Sequence, residues 1–433
     1  MDAANTIHQP GWLWVEDDRI GAVGAGQAPD ALVARANRII NAEYLAVLPG
    51  LVNGHTHLSQ TFMRGLGDDK TLIEWLKTVM WPLQAAMTPE DMRLASLLGL
   101  VENLRCGVTS LVQHHKLTAL PEHVDAAAEA AQTVGLRMQL ARGWVDMGAA
   151  AETPESIFSE MARLYRCWHG AAGGRLTLAF GPMAAWRCSD ETMRQAVDLA
   201  RRWGIPTHIH VAESADEIKL MQQRNGLRHI EWLDALGALG PDMQLVHCVQ
   251  VNRQEIALIA ESGASVIHCP VSNMYLASGA APISQMLAQG ISLALGTDGS
   301  ASHNSQDILE TLKSAALLAK VSSGNPTALL PPDALRMVTT AGARLVGRDD
   351  LGSLVPGAKA DITLVNLNTV RSMPVHRPES ALVYNASGPD AHTVIVDGQI
   401  LLDAGEVTVL DEAALLEEAR RAAAALLKRA EVE

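Results

Sequence analysis

Histidines recur where apolar stretches of this chain end. The first case is Pro49-Gly50-Leu51-Val52-Asn53-Gly54-His55-Thr56-His57, in which an apolar run closes on two histidines separated by one residue. Side chains at positions i and i+2 of a strand point to the same face, so His55 and His57 would converge on one point. Two neutral imidazoles placed in this way form half of a zinc or iron site. A lone His-x-His is common, so the prediction of a metal site depends on further ligands from elsewhere in the chain.

Later apolar stretches end in the same kind of residue. One closes on His210, with Glu213 three residues further on, and the next closes on His247. Two more end in His268 and Asp298. Each of these residues alone would more often be structural, because buried histidines and carboxylates usually serve packing or pairing. Their repeated position at the end of an apolar stretch favours one shared site.

The elements that carry these residues alternate between strand and helix. Apolar strand patterns lie near 51–57, 107–112, 136–142, 175–181, 205–211, 243–248, 264–269 and 291–297. Amphipathic helical patterns lie between them, for example at 89–105, 123–134, 154–169, 190–203 and 253–262. Eight such units predict an α/β fold, a closed (β/α)8 TIM barrel, whose catalytic residues lie at the C-terminal ends of the strands.

Strand patterns without intervening helices occur at both ends of the chain. They lie at 12–23 and 47–53, and again at 361–365 and 392–398. We therefore expect a small β-sandwich domain built from both chain ends, and a charged amphipathic helix over 413–430. The predicted division is 1–48 for the N-terminal part of the sandwich, 49–350 for the barrel, which includes a helix at 332–346, and 351–433 for the C-terminal part of the sandwich plus the terminal helix.

Composition narrows the class of partner. The 433 residues carry 34 basic and 48 acidic side chains, a net charge of −14, which disfavours nucleic acid or an anionic membrane as a partner. No uninterrupted apolar run reaches the roughly 18 residues of a spanning helix. The start, Met1-Asp2-Ala3-Ala4, lacks a basic and apolar leader pattern, and the five cysteines lack motif spacing. These features predict a cytoplasmic protein with a small-molecule partner.

Several motifs resemble the amidohydrolase superfamily. They are the segment ending in His55-Thr56-His57, the His-x-x-Glu at His210 and Glu213, His247-Cys248, and Gly296-Thr297-Asp298-Gly299. Within that superfamily the chain resembles the cytosine-deaminase-like branch, which holds the methylthioadenosine/S-adenosylhomocysteine deaminases and the triazine hydrolases. Further matches, such as Trp81-Pro82, Asn273-Met274-Tyr275 and Gly357-Ala358-Lys359-Ala360-Asp361, extend the resemblance over essentially the whole chain.

The resemblance implies one divalent metal, zinc before iron. Its ligands would be His55, His57, His210 and Asp298. Metal-activated water would attack the ring carbon of an aminated N-heterocycle and release ammonia. Asp298 would take the proton from the water, Glu213 would protonate the ring nitrogen, and His247 would stabilise the oxyanion or the water. A second metal is not expected, because the dinuclear relatives use a lysine from strand four and 175–182 contains none.

Departures from the family pattern bear on the substrate. The nucleoside deaminases carry a glutamate where this chain has Gln84 and a histidine where it has Met183. The triazine hydrolases carry a glutamine at the position of Gln84. An amide accepts more weakly from a ribose diol than a carboxylate does, so we expect a pocket less suited to adenosine-type substrates. His114 and His115 close the second strand and could recognise substrate or cap the barrel. The resemblance implies further substrate contacts from Trp81, Arg142, His115, Asn273, Ser302 and His303.

Alternative functions remain open at this point. One keeps the site but displaces chloride or an alkylamine from a triazine ring. Another is a methylthioadenosine/S-adenosylhomocysteine deaminase. A third is a barrel retained for binding or assembly after loss of its metal, which the intact ligand set and Glu213 disfavour. We also expect the chains to form a homo-oligomer.

Overall fold

The computed structural model describes residues 6–115, 120–148 and 150–432. Its strands are, in chain order, β1 Gly11–Glu16, β2 Arg19–Ala25, β3 Leu45–Pro49, β4 Leu51–Thr56, β5 Val108–His115, β6 Arg137–Trp144, β7 Leu176–Pro182, β8 Thr207–Val211, β9 Met243–His247, β10 Ser265–His268, β11 Leu293–Leu295, β12 Ile362–Asn366, β13 Ala391–Val396, β14 Gln399–Asp403 and β15 Glu406–Val407.

Eight parallel strands form the barrel that the sequence predicts. β4 to β11 lie side by side in chain order. At the seam between the first and last of them, the backbone amide of Asp298 donates to the carbonyl of His55 over 2.9 Å. The prediction of an eight-unit parallel barrel is confirmed, and the seam brings two of the predicted metal ligands together.

Helices alternate with the barrel strands and cover its outer surface. The α-helices are Asp30–Val33, Leu72–Trp75, Trp81–Ala86, Pro89–Arg105, Glu122–Val134, Pro154–Trp168, Ala171–Gly174, Asp190–Trp203, Ala215–Asn225, His229–Ala235, Arg253–Ser262, Pro270–Tyr275, Ile283–Ala288, Ser300–His303, Ile308–Ser323, Pro331–Met337, Thr340–Leu345, Pro378–Tyr384 and Glu412–Ala430. Short helices of other types lie at Leu58–Met63, Leu76–Met80, Ala185–Arg187 and Gly388–Asp390. Side-chain caps begin several of them, as at Thr88, whose hydroxyl accepts from the Asp91 amide.

The prediction of one helix over 332–346 is wrong. The chain forms two short helices there and breaks at Thr339, whose φ and ψ are −123° and −96°. The break leaves the Val338 carbonyl available to accept from the Val52 amide of β4 over 2.8 Å. In a continuous helix that carbonyl would have been used within the helix. A contact with the barrel therefore overrides the local helical pattern.

The two chain ends form the predicted sandwich. One sheet is antiparallel with the order β3-β12-β13-β14-β15, so it combines a strand from the start of the chain with four from the end. The hairpin of β1 and β2 is a separate two-stranded sheet. Its Leu13 and Val15 pack on Ile362 and Ile395 of the larger sheet. The terminal helix packs on the barrel helix Pro89–Arg105. The predicted domain boundaries at 48/49 and 350/351 stay a prediction.

An ion-pair network joins the floor of the barrel to the sandwich. Arg137, at the start of β6, is 5% exposed and donates to Asp361 over 2.7 and 2.9 Å. It also pairs with Asp397. Burial would lower the pKa of Arg137, but the two carboxylates outweigh it and raise that pKa, which keeps the guanidinium charged. Among the described residues, no helix is long and apolar enough to cross a membrane.

Candidate active site

Three imidazoles and one carboxylate meet at the C-terminal mouth of the barrel. His55 and His57 come from the end of β4, His210 from β8, and Asp298 from just after β11. The Nε2 atoms of His55 and His57 each lie 3.3 Å from Oδ1 of Asp298. The Nε2 atoms of His57 and His210 are also 3.3 Å apart. A tetrahedral zinc site with bonds of about 2.0–2.1 Å has ligand atoms roughly 3.4 Å apart, so these side chains fit one divalent metal.

Hydrogen bonds set the orientation of these imidazoles. Nδ1 of His57 lies 2.6 Å from the carbonyl of His114, and Nδ1 of His210 lies 2.6 Å from the carbonyl of Met183. Because a carbonyl can only accept, both Nδ1 atoms carry the hydrogen. Nε2 of each ring therefore keeps its lone pair and directs it at the shared point.

Protonation states at the site suit metal binding. Burial, and then the neighbouring His114 and His55, hold the pKa of His210 well below its ordinary value, so the ring is neutral. Both oxygens of Asp298 accept hydrogen bonds, from the Gly299 amide and from the hydroxyls of Ser272 and Ser302, as those of an ionised carboxylate do. Neutral imidazoles and an ionised carboxylate are the forms that coordinate a cation.

Asp298 is fixed from several sides. Its φ of 63° lies in the left-handed region, which is uncommon for a residue other than glycine and recurs at functional sites. Oδ2 accepts from the hydroxyl of Ser272 over 2.6 Å and from that of Ser302 over 3.0 Å. Oδ1 accepts from the Gly299 amide over 2.7 Å and faces the imidazoles. Ser302, predicted to contact substrate, thus holds Asp298.

Glu213 and His247 lie beside the metal-binding cluster. Nε2 of His247 is 3.5 Å from Oε2 of Glu213, and both side chains are buried. Nδ1 of His247 lies 3.0 Å from Nδ2 of Asn273. With that amide donating, Nε2 of His247 carries the hydrogen and points it at Glu213. Asn273 thus orients His247, and its predicted contact with substrate stays a prediction.

Comparison with known proteins agrees with this geometry. Residues 46–401 match the amidohydrolase family. The chain belongs to the amidohydrolase family. It is 40% identical over 419 residues to a 5'-deoxyadenosine deaminase of Methanosarcina mazei, covering 97% of this chain and 94% of that protein. It is 36% identical over 430 residues to a 5-methylthioadenosine/S-adenosylhomocysteine deaminase of Pelotomaculum thermopropionicum, covering 99% and 97%.

A solved structure shares the same fold. It is a mutant of the atrazine chlorohydrolase TrzN from Arthrobacter aurescens, in complex with zinc and atraton. The two chains are 26% identical, with a TM-score of 0.89 that covers 95% of this chain and 94% of the other. The similar proteins thus include deaminases and a triazine hydrolase, the two kinds of enzyme that the sequence motifs resemble.

Four other predicted substrate residues differ in their contacts, and one of them, Met183, holds a proposed metal ligand through its backbone carbonyl. Gln84 of this amidohydrolase is 6% exposed, and its amide Nε2 has no hydrogen-bond partner among the described residues. Trp81 packs under the guanidinium of Arg187, 5.4 Å from the ring centre. Met183 lies at the mouth, where its carbonyl holds His210. His303 lies 3.2 Å from the Thr311 hydroxyl, and burial lowers its pKa to about 4.

His115 and Arg142 line a separate cavity of about 230 Å³. Its other walls include Val124 and Ser156, which belong to the helices outside β5 and β6, so these two side chains face away from the barrel interior. Arg142 pairs with Glu152 over 2.5 and 2.8 Å. Burial lowers the pKa of His115 to about 3, so its ring is neutral. The structure does not bring them into the metal-binding cluster.

Sequence reasoning did not assign His114 to the cluster. The ring of His114 stacks on that of His210 with centroids 4.7 Å apart, and its Nε2 lies 3.0 Å from the Gly181 carbonyl. Its ligand nitrogen lies within 4.8 Å of those of His55, His57 and His210. Strand alternation could have found it, because Val112 faces the interior and His114 follows two residues later.

Proposed function

We propose that this amidohydrolase is a metal-dependent hydrolytic deaminase of an aminated N-heterocycle, with ammonia as its product. The observation that carries the proposal is the set of 3.3 Å separations among His57, His210 and Asp298, with the Glu213–His247 pair beside them. Relatives with 36–40% identity are named as deaminases of adenine nucleosides, which supports an adenine-type ring as the reacting part of the substrate.

The proposed metal is one zinc ion, with iron as the second choice. Its ligands would be His55, His57, His210 and Asp298, and the zinc in the TrzN complex supports the choice. When bound, such an ion lowers the pKa of a coordinated water so that hydroxide is available near neutral pH.

The chain's own residues would handle the protons. Asp298 is ionised, so it can accept the proton of the attacking water while Ser272 and Ser302 hold its other oxygen. Glu213 would donate to a ring nitrogen next to the carbon under attack, and Glu213 or Asp298 would then relay a proton to the amino group as it departs as ammonia. The Nε2–H of His247 would stabilise negative charge on the incoming oxygen. A positioned acid or base of this kind contributes roughly 10²–10⁴-fold in rate.

Substrate selection would depend on the residues at the mouth. Gln84 is proposed to face the part of the substrate that bears a ribose diol in nucleosides, and Met183 is proposed to present an apolar surface. Trp81 and His303 would complete the pocket for a compact ring. His115 and Arg142 would reach only a substrate that extends into the cavity they line.

A second candidate is hydrolysis of a triazine, with chloride or an alkylamine as the leaving group. The glutamine at position 84 and the structural similarity to TrzN favour it. Attack on the ring and protonation of the ring nitrogen would be the same in both reactions, so the released product separates them.

The test is a substrate panel assayed for each product. Zinc-loaded enzyme would be incubated with adenine, 5'-deoxyadenosine, amino-substituted pyrimidines and pterins, chloro-triazines and alkylamino-triazines. Ammonia, chloride and free amine would be measured separately. We expect ammonia from amino-substituted rings. Release of chloride or alkylamine at a higher kcat/KM than any ammonia release would replace the deaminase assignment with the triazine-hydrolase one.

A further inference from the structure

A chain of buried hydrogen bonds runs from the barrel floor to His55. Nδ1 of His55 lies 2.7 Å from Nε2 of His208, and Nδ1 of His208 lies 2.8 Å from Oε1 of Gln244. The amide Nε2 of Gln244 donates to the carbonyl of Leu345 over 2.6 Å and to Oε1 of Gln139 over 2.9 Å. His208 is fully buried and Gln244 is 3% exposed, so these bonds are sheltered from water.

The direction of the chain follows from its last member. The carbonyl of Leu345 can only accept, so the amide nitrogen of Gln244 must face it and the amide oxygen must face His208. That oxygen can only accept as well, so Nδ1 of His208 carries the hydrogen and its Nε2 is an acceptor. Nδ1 of His55 then donates to His208, which leaves Nε2 of His55 with its lone pair directed at Asp298.

His55 differs in this respect from the other two imidazoles. His57 and His210 each donate to a backbone carbonyl, which no side-chain substitution removes. The tautomer of His55 depends on two side chains in series. The end of the series is fixed, because Leu345 packs inside the barrel against Val246 and other interior residues.

We propose that His208 and Gln244 are positioning residues that hold His55 in the tautomer able to bind the metal. The inference rests on the metal site of the proposed function. With the chain broken, Nδ1 of His55 has no acceptor, and the ring can place its hydrogen on Nε2, where it blocks coordination. Loss of such an outer partner typically costs 10–100-fold in metal affinity.

The test measures zinc affinity rather than turnover. Metal-free protein would be titrated with zinc in competition with a chromophoric chelator. We expect His208→Phe to weaken binding by about 10–100-fold. His208→Gln should recover part of the loss, because its amide can accept from His55 and donate to Gln244. Gln244→Leu should weaken binding in the same direction but less, because His208 still offers a partner to His55.

His268 supplies a matched control. It is also a fully buried histidine at the end of a barrel strand, β10, and neither ring nitrogen has a hydrogen-bond partner among the described residues. His268→Phe should bind zinc as tightly as the wild type. Thermal melting of each metal-free protein reports whether it folds, and if His208→Phe does not fold, Gln244→Leu decides.

Wild-type zinc affinity in both His208→Phe and Gln244→Leu would overturn the inference. A His208→Gln variant as weak as His208→Phe would also overturn it, because the loss would then come from packing. Zinc titration needs no substrate, so its result is separate from the product assay of the wild type: a wild type that binds zinc and deaminates nothing refutes the proposed function alone.

Discussion

Ser272, in the helix after β10, and Asp298, just after β11, meet through a hydrogen bond of 2.6 Å from the serine hydroxyl to Oδ2. Ser302 donates to the same oxygen over 3.0 Å. The two hydroxyls take up one oxygen of the carboxylate, which leaves Oδ1 towards His55 and His57. The two oxygens of the carboxylate thus have different partners: Oδ2 contacts the serines and Oδ1 faces the imidazoles.

Removal of this support should impair the site without removing it. We expect Ser272→Ala to lower kcat by about tenfold, because a hydrogen bond to a charged group is worth roughly 1.5–3 kcal/mol and the second serine retains part of the hold. Zinc content should stay near that of the wild type. Steady-state kinetics with metal analysis would check it, and an unchanged kcat would refute a role for Ser272 in orienting Asp298.

Glu213→Gln tests the proposed proton donor. The amide can still hydrogen-bond the ring but cannot deliver a proton, so we expect turnover to fall by roughly 10²–10⁴-fold. The zinc content should not change, since Glu213 is not among the proposed ligands. Near-normal rates on amino substrates would show that another group donates the proton. Chloro-substituted rings should be affected less, because the departing chloride needs no proton.

The sequence predicted the elements better than the contacts between them. Alternating strand and helix patterns were enough for the barrel, and polar residues at strand ends were enough to nominate His55, His210 and Asp298. The break at Thr339 could not be predicted, because it depends on a hydrogen bond to Val52, far away in the chain. Local pattern does not contain such tertiary contacts.

The same limit applies to the residues around the site. Ser302 and Asn273 are predicted to contact substrate, and that stays a prediction. The sequence did not indicate that the Ser302 hydroxyl holds Asp298 or that Nδ2 of Asn273 holds His247. Which polar group a short side chain reaches is decided by distances between separate loops. His208 was readable as a strand residue, but its bonds to His55 and Gln244 depend on the stagger of three barrel strands.

Gln84→Glu tests the proposed place of the ribose. A carboxylate makes charge-assisted hydrogen bonds worth about 1.5–3 kcal/mol each, against about 0.5–1.5 for neutral ones. We therefore expect kcat/KM on 5'-deoxyadenosine, methylthioadenosine and S-adenosylhomocysteine to rise about ten- to a hundredfold, with little change on adenine. The wild type should prefer compact aminated rings to these nucleosides. A wild type that turns over methylthioadenosine or S-adenosylhomocysteine more efficiently than compact aminated rings would refute the argument from Gln84 and Met183.

Asp397 should contribute stability that acid removes. Burial would raise its pKa, but the charge of Arg137 outweighs it and holds that pKa below the ordinary value. A carboxyl whose folded pKa is depressed stabilises the fold above the unfolded pKa, and that stability is lost as the pH falls through the folded pKa. Asp397→Asn should cost about 1–3 kcal/mol at pH 7. The difference in unfolding midpoint from the wild type should shrink below about pH 4; a constant difference would contradict the ionic origin.

Metal content of active protein tests the central claim most directly. Purified wild type with measured ammonia release would be analysed for zinc and iron, beside a His57→Ala variant. We predict one tightly held ion per chain in the wild type, and loss of both the ion and the activity in the variant, because three imidazoles and one carboxylate fit a single metal. Active protein without metal, or a reproducible two ions per chain, would contradict the account.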